Sequence, residues 1–299
     1  MVISKALSVV LAVTVMASAM AGCNLNGGSY MEKYKDEIVE MPPEDYEETK
    51  DSVTYAEFQK YTYYCNTAER DTKVNVLLPP DYSEDKEYPV LYILHGYWDS
   101  EDWMARPIVS ISTMLSNLYE SGEAEEMIVV CPYIFCSKRL THCTGMDDEN
   151  NQAYDNFIND LTTDLMPFIE STFSVKTGRD NTAITGFSMG GRESLYIGFS
   201  HPELFGYIGA VCPAPGALSA DGSGQMMSIN DMMLEENKPY MLLLSVANDF
   251  VYGAGSSYHE LMEEYEVEHI WHYLPSTGHD HTSVKPHLYN FFRVIFKNK

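Results

Sequence analysis

Gly186-Phe187-Ser188-Met189-Gly190-Gly191 follows the apolar run Thr182-Ala183-Ile184-Thr185 and precedes a helix-compatible stretch, Arg192 to Phe199. The order reads as a strand, a sharp turn and a helix, with the serine at the turn. Glycines at 186 and 190 put no side chain where the chain reverses, so the Ser188 hydroxyl projects from the tip. A serine so placed is a candidate nucleophile. The plainer alternative is a glycine turn whose serine only caps the helix.

Outward from this turn the chain alternates between strand-like and helix-like segments. The pattern predicts strands at Tyr55 to Tyr64, Lys73 to Leu78, Val90 to Leu94, Met127 to Cys131, Ala183 to Thr185, Tyr207 to Val211, Tyr240 to Val246 and Ile270 to Leu274. Several are continuous apolar runs, as central strands buried on both faces require. Between them Ile108, Ile111, Leu115 and Leu118 recur at helical spacing. The same spacing links Tyr154, Phe157, Ile158, Leu161, Leu165, Phe168 and Ile169, and later Leu288, Phe291, Phe292 and Ile295, all expected as core faces. An α/β fold follows: a mostly parallel central sheet with helices on both faces, entered by two antiparallel strands joined through Asn66 to Thr72. Residues 52–299 are expected to form this one domain.

A serine hydroxyl is a poor nucleophile at neutral pH and needs a neutral imidazole to take its proton and a carboxylate to orient that imidazole. In folds with this serine turn, acid and histidine follow the serine in that order, and reactive groups gather at the carboxyl ends of strands. Asp249 follows the clearest late strand, Met241 to Val246, whereas Asp221 and Asp231 lie in polar loops. His279 and His281 both follow the last strand in Pro275-Ser276-Thr277-Gly278-His279-Asp280-His281, and Gly278 favours His279 by letting the loop turn close. His269 and His272 belong to the strand and are expected to pack. Two backbone N–H groups should face the developing oxyanion: that of Met189, and that of Tyr97 in the loop after Val90-Leu91-Tyr92-Ile93-Leu94-His95-Gly96. The His95 imidazole is expected to hold nearby backbone. Tyr97, Trp98 and Trp103 are either pocket walls or packing.

At these residues the chain resembles the esterase D-like α/β-hydrolases, and within them the feruloyl and related acyl esterases of the first carbohydrate-esterase family. The likeness rests on Leu94-His95-Gly96, Gly186-Phe187-Ser188-Met189-Gly190-Gly191, Asp249 and Gly278-His279-Asp280, and runs from about Tyr55 to Phe296. Where relatives carry further glycines after the His-Gly pair, this chain has Tyr97-Trp98-Asp99-Ser100. The resemblance implies an α/β-hydrolase fold and ester hydrolysis through an acyl-enzyme, with no metal or organic cofactor. The expected substrate is a feruloyl or acetyl group on plant cell-wall polysaccharide or oligosaccharide. Siderophore, thioester or simple carbohydrate acetate hydrolysis are the alternatives, as is a non-catalytic carbohydrate-binding surface protein.

Composition sets the outer limits. A formal net charge of −25 over 299 residues leaves no basic surface to displace counterions from phosphates, which argues against a nucleic-acid partner. Lys5, the uncharged stretch Ala6 to Gly22 and Met20-Ala21-Gly22-Cys23 read as a signal peptide over residues 1–22. Its end resembles a bacterial lipobox, which implies lipid attachment at Cys23, an exported protein anchored to the outer face of the cell membrane, and two acyl chains sufficient for stable anchoring. Residues 23–51, rich in acids and interrupted by Pro42-Pro43, are expected as a flexible tether. Past Cys23 the cysteines are Cys65, Cys131, Cys136, Cys143 and Cys212, with no zinc-type spacing. Cys136 and Cys143 flank a polar loop and either pair or stay as thiols. Oligomeric state is open.

Overall fold

The computed structural model describes residues 30–297. The apolar runs form β1 (Gln59–Cys65), β2 (Arg70–Leu77), β3 (Val90–Leu94), β4 (Ile128–Pro132), β5 (Thr182–Gly186), β6 (Tyr207–Val211), β9 (Met241–Ala247) and β10 (Ile270–Leu274), with a two-residue pair β7 (Leu218–Ser219) and β8 (Met227–Ser228). Helices are α1 (Tyr30–Lys35), α2 (Asp102–Ala105), α3 (Ile111–Glu120), α4 (Asp148–Asp155), α5 (Phe157–Asp160), α6 (Met166–Thr172), α7 (Met189–Ser200), α8 (Tyr252–Glu264) and α9 (His281–Val294).

Among the described residues, eight strands form one sheet in the order β1-β2-β4-β3-β5-β6-β9-β10. The β1–β2 and β2–β4 pairings are antiparallel, and every pairing from β4 to β10 is parallel. The continuous apolar runs of β3, β4, β5, β6 and β9 are buried along their whole length. That burial needs cover on both sides, and β6 shows where it comes from. A Cβ on Gly198 of α7 would meet the Ile208 side chain at 2.5 Å, while one on Gly209 would meet Phe291 of α9 at 2.8 Å. Adjacent strand residues face opposite ways, so α7 and α9 cover opposite faces of the sheet.

Two helical expectations are corrected. The run from Tyr154 to Ile169 is broken into α4, α5, a π-helical turn over Leu161–Leu165, and α6. Pro167 near the start of α6 has no N–H to give to the preceding turn, which favours the wider register there. Ile108, expected on the core stripe, is 55% exposed. It lies in a 3-10 turn cut off from α3 by Ser110, whose φ of 59° lies in the left-handed region.

The expected signal peptide, Cys23 and the first residues of the acidic segment lie outside the described residues. From α1 onward, however, that segment is docked on the domain, which corrects the flexible-tether expectation for residues 30–51. Met31 and Tyr34 are buried, one helical turn apart on α1, which packs on β9. Val39 donates its N–H to Asn290 Oδ1 at 2.9 Å and accepts from Asn290 Nδ2 at 2.7 Å. His272 Nε2 donates to the Glu40 carbonyl at 2.9 Å, and Lys285 pairs with Glu47 at 2.7 Å. Burial pushes the Glu47 carboxyl up, but hydrogen bonds from Lys285 and Ser110 outweigh it and hold the group below its ordinary value. The acids made the segment look solvated, but Met31, Tyr34 and Tyr46 between them supply an inner face.

All five described cysteines are free thiols. Cys143 Sγ donates to the Gly145 carbonyl at 3.3 Å, while Cys136 Sγ lies 3.5 Å from Asp160 Oδ2, so the two belong to different contacts.

Candidate active site

The turn between β5 and α7 holds Ser188 at φ 57° and ψ −113°, a left-handed backbone costly for a residue with a side chain. Hydrogen bonds fix it from three sides. Ser188 N donates to Val211 O at 3.0 Å, while Ser188 O accepts from Ala214 N at 2.9 Å and Arg192 N at 3.0 Å. Gly190 is required by packing: a Cβ there would lie 2.3 Å from Leu94 O and 2.6 Å from His95 O. This close approach sets the start of α7 against the end of β3, and with it the loop carrying Tyr97.

Asp249 follows β9, His279 follows β10, and the two strands are neighbours. His279 Nδ1 lies 2.8 Å from Asp249 Oδ2 and His279 Nε2 lies 2.9 Å from Ser188 Oγ. An ionised carboxylate only accepts, so the ring proton sits on Nδ1 and Nε2 accepts from the Ser188 hydroxyl. Asp249 is held in turn by Val251 N, which donates to its other oxygen at 2.9 Å. The side chains of His279 and Asp249 are 15% and 3% exposed, so the carboxylate is shielded while the imidazole and Ser188 face the cleft. The other candidates lie elsewhere. His281 opens α9 next to Asp280, Asp221 accepts from Ser223 N in an exposed loop, and Asp231 closes the capping box of a 3-10 turn.

Met189 is the first residue of α7, so its N–H has no acceptor within the helix. Tyr97 and Met189 line the same cleft as Ser188. The Tyr97 side chain is pinned away from the serine, donating to Gly145 O at 2.9 Å or Asn151 Oδ1 at 3.0 Å. The His95 ring behaves as expected of a structural group: Nδ1 donates to Gly96 O at 2.7 Å and Nε2 accepts from Ile134 N at 3.1 Å. Full burial lowers its pKa to about 4, so it stays neutral.

The cleft over Ser188 holds about 900 Å³. Tyr97, Trp98 and Trp103 all reach its wall, with the Trp103 ring stacked on Phe187 at 5.1 Å. Sequence reasoning missed three contributors. Phe250, 82% exposed, lies directly after Asp249 and brings its ring within 4.4 Å of His279. Arg192, one helical turn beyond Ser188, is buried and donates to Asp155 at 2.7 Å, and both line the cleft. Its position four residues after the serine on one helix was the available signal. Beneath them Glu193 is fully buried, 3.6 Å from Arg192, and burial raises its pKa to about 8 despite that guanidinium.

A serine, carboxylate and histidine delivered in that chain order by the ends of a mostly parallel sheet define the class as α/β-hydrolase. Within that class the chain belongs to the Esterase family, whose model, described as "Putative esterase", matches residues 65–282. The ferulic acid esterase AmCE1/Fae1A of the first carbohydrate-esterase family, from the anaerobic fungus Anaeromyces mucronatus, superposes with a TM-score of 0.80 at 38% identity, covering 87% of this chain and 97% of that one. The same enzyme has been solved with ferulic acid. The endo-1,4-beta-xylanase/feruloyl esterase of Xylanibacter ruminicola is 29% identical over 180 residues, 57% of this chain and 24% of its own length. The chain therefore spans about a quarter of that relative. The S-formylglutathione hydrolase of Staphylococcus aureus, at 16% identity over 82% of this chain and 100% of its own with a TM-score of 0.62, shares the fold.

Proposed function

We propose that this protein hydrolyses feruloyl esters on plant cell-wall polysaccharide through an acyl-enzyme at Ser188. The observation that carries the reading is the hydrogen-bonded row Asp249–His279–Ser188 at the base of an aromatic-walled cleft. Likeness to ferulic acid esterases supports the choice of acyl group. In this reading His279 Nε2 takes the Ser188 proton as Oγ bonds to the ester carbonyl carbon. The N–H groups of Met189 and Tyr97 receive the negative charge on the carbonyl oxygen. The carbon–oxygen bond to the sugar then breaks, and His279 gives the proton to the departing sugar oxygen, which leaves as a hydroxyl. Water, deprotonated by the same nitrogen, attacks the acyl carbon; the bond to Ser188 Oγ breaks, His279 returns the proton to that oxygen, and the acid leaves. Asp249 holds the imidazole in the tautomer both halves need.

Turnover on feruloyl, acetyl and longer-chain esters tests the assignment. Feruloyl esters should give the highest kcat/KM, and Ser188→Ala should remove roughly three orders of magnitude or more of the rate without loss of thermal stability. A variant keeping a tenth of the wild-type rate refutes the nucleophile, and a stronger preference for acetyl esters refutes the acyl group. We also infer that Cys23 carries a lipid that anchors the enzyme outside the cell, supported by the small residues before it. Cys23→Ala should block lipid attachment in a bacterial host; an unmodified Cys23 in mass spectrometry of the membrane-bound protein rejects the lipid anchor.

A further inference from the structure

At the other end of β10 from His279, α8 and the residue before the strand bring two imidazoles and a carboxylate together. His259 and Glu263 stand four residues apart on α8 and so share a face. His269 meets them from the approach to β10. His259 Nδ1 lies 2.7 Å from His269 Nε2, Glu263 Oε1 lies 4.0 Å from the same nitrogen, and the three atoms all lie within 4.8 Å of one another.

The rings are oriented before any ligand arrives. His269 Nδ1 lies 2.8 Å from the Val267 carbonyl, which only accepts, so the proton sits on Nδ1 and the Nε2 lone pair faces the cluster. A backbone carbonyl fixing a histidine tautomer in this way is the outer support that metal-binding histidines use. The His259 ring is stacked on Trp271 with centroids 4.3 Å apart and planes 12° apart. The His269 side chain is 1% exposed and that of Glu263 67%, which leaves an entry side. Glu32, Glu266 and Glu268 border the same hollow against one lysine, Lys35, a balance that favours a cation.

We propose that His259, Glu263 and His269 form a zinc site, with water completing the tetrahedron on the open side. Two imidazoles and one carboxylate suit a borderline cation, whereas magnesium and calcium prefer oxygen ligands throughout. Two nitrogens on one tetrahedral zinc stand about 3.3 Å apart, which small ring rotations reach from the present contact. Without the ion, His259 Nδ1–H donates to His269 Nε2. With it, His259 carries its single ring proton on Nε2 and gives the Nδ1 lone pair to zinc, so the neutral pair loses no proton. The ion would clip α8 to the start of β10. It takes no part in ester chemistry, because five strand residues, about 17 Å, separate this cluster from the strand end that leads to His279.

The test is calorimetric titration of metal-stripped protein with zinc chloride, repeated with magnesium and calcium chloride, and followed by thermal unfolding and ester turnover. One zinc should bind per chain with Kd about 10 μM or tighter, raise Tm, and leave turnover unchanged; magnesium and calcium should not compete. Glu263→Gln, on a side chain 67% exposed, and His259→Gln should each weaken binding at least about tenfold. Equal zinc affinity in wild type and both variants, or no binding below about 100 μM, overturns the site and leaves the two histidines as a hydrogen-bonded pair.

Discussion

Asn290 of α9 grips both backbone groups of Val39, accepting from its N–H at 2.9 Å and donating to its carbonyl at 2.7 Å, across 251 residues of sequence. A side-chain amide used in this way stands in for a neighbouring strand and holds the acidic N-terminal segment on the domain. The segment is therefore part of the fold's stability.

A chain beginning at Ser52 should consequently unfold at lower temperature than one beginning at residue 30. Removing the partner leaves Asn290, His272 and the surface under Tyr34 newly exposed or unpaired, and each buried polar group left unmatched costs about 1–3 kcal/mol. In a domain of this size 1 kcal/mol shifts Tm by about 2–4 °C, so a fall of about 5 °C or more is expected in a thermal melt. Equal melting of the two chains would restore the free-tether picture.

His279→Ala should remove roughly a thousandfold or more of kcat, while His281→Ala stays within about threefold of wild type. The ground is geometric: His279 touches both Ser188 and Asp249, and His281 begins the next helix. Steady-state kinetics with both variants decides, and the opposite ranking moves the base to His281.

Acid should destabilise the fold through histidines buried as neutral rings. Burial lowers His95 from 6.5 to about 4 and His287 from 6.5 to about 3. Below pH 6.5 the unfolded chain takes up protons that the folded chain refuses. The contribution of these two rings is thus full above pH 6.5 and falls as pH drops toward those values, by about 1.4 kcal/mol per unit for each histidine. His287 is locked in a chain of bonds, with Thr185 Oγ1 2.7 Å from Nε2 and Ser245 Oγ 2.7 Å from Nδ1. Denaturant melts between pH 4 and 6.5 should show a shallower pH slope for His287→Gln; an unchanged slope contradicts the neutral-ring account.

Glu193 titrates with the opposite sign. Its pKa rises from 4.5 to about 8, chiefly from burial. Above pH 4.5 the folded state keeps a proton that the unfolded state has released, so stability declines as pH rises toward 8. Glu193→Gln cannot lose that proton. Its Tm relative to wild type should climb between pH 5 and 8, and a difference independent of pH would show that Glu193 is ionised in the fold.

The local grammar of the site was legible without coordinates. Glycines around Ser188, the apolar runs of β3, β5, β6 and β9, and the acid and histidine loops after late strands are short-range patterns, because strand burial and tight turns are decided within a few residues. Other features were settled only by long-range packing. Nothing near Val39 in sequence announces Asn290, so a segment dense in acids reads as solvated although its apolar residues find a surface. The break at Ile108 and the π turn before Pro167 depend on how neighbouring elements dock. Phe250, Arg192 and the His259–Glu263–His269 cluster gain meaning from juxtaposition. Sequence dictates which chemistry each side chain carries and which face of an element it takes; the tertiary fold decides which distant groups share one dry or charged space, since burial and distance set the strength of every interaction between them.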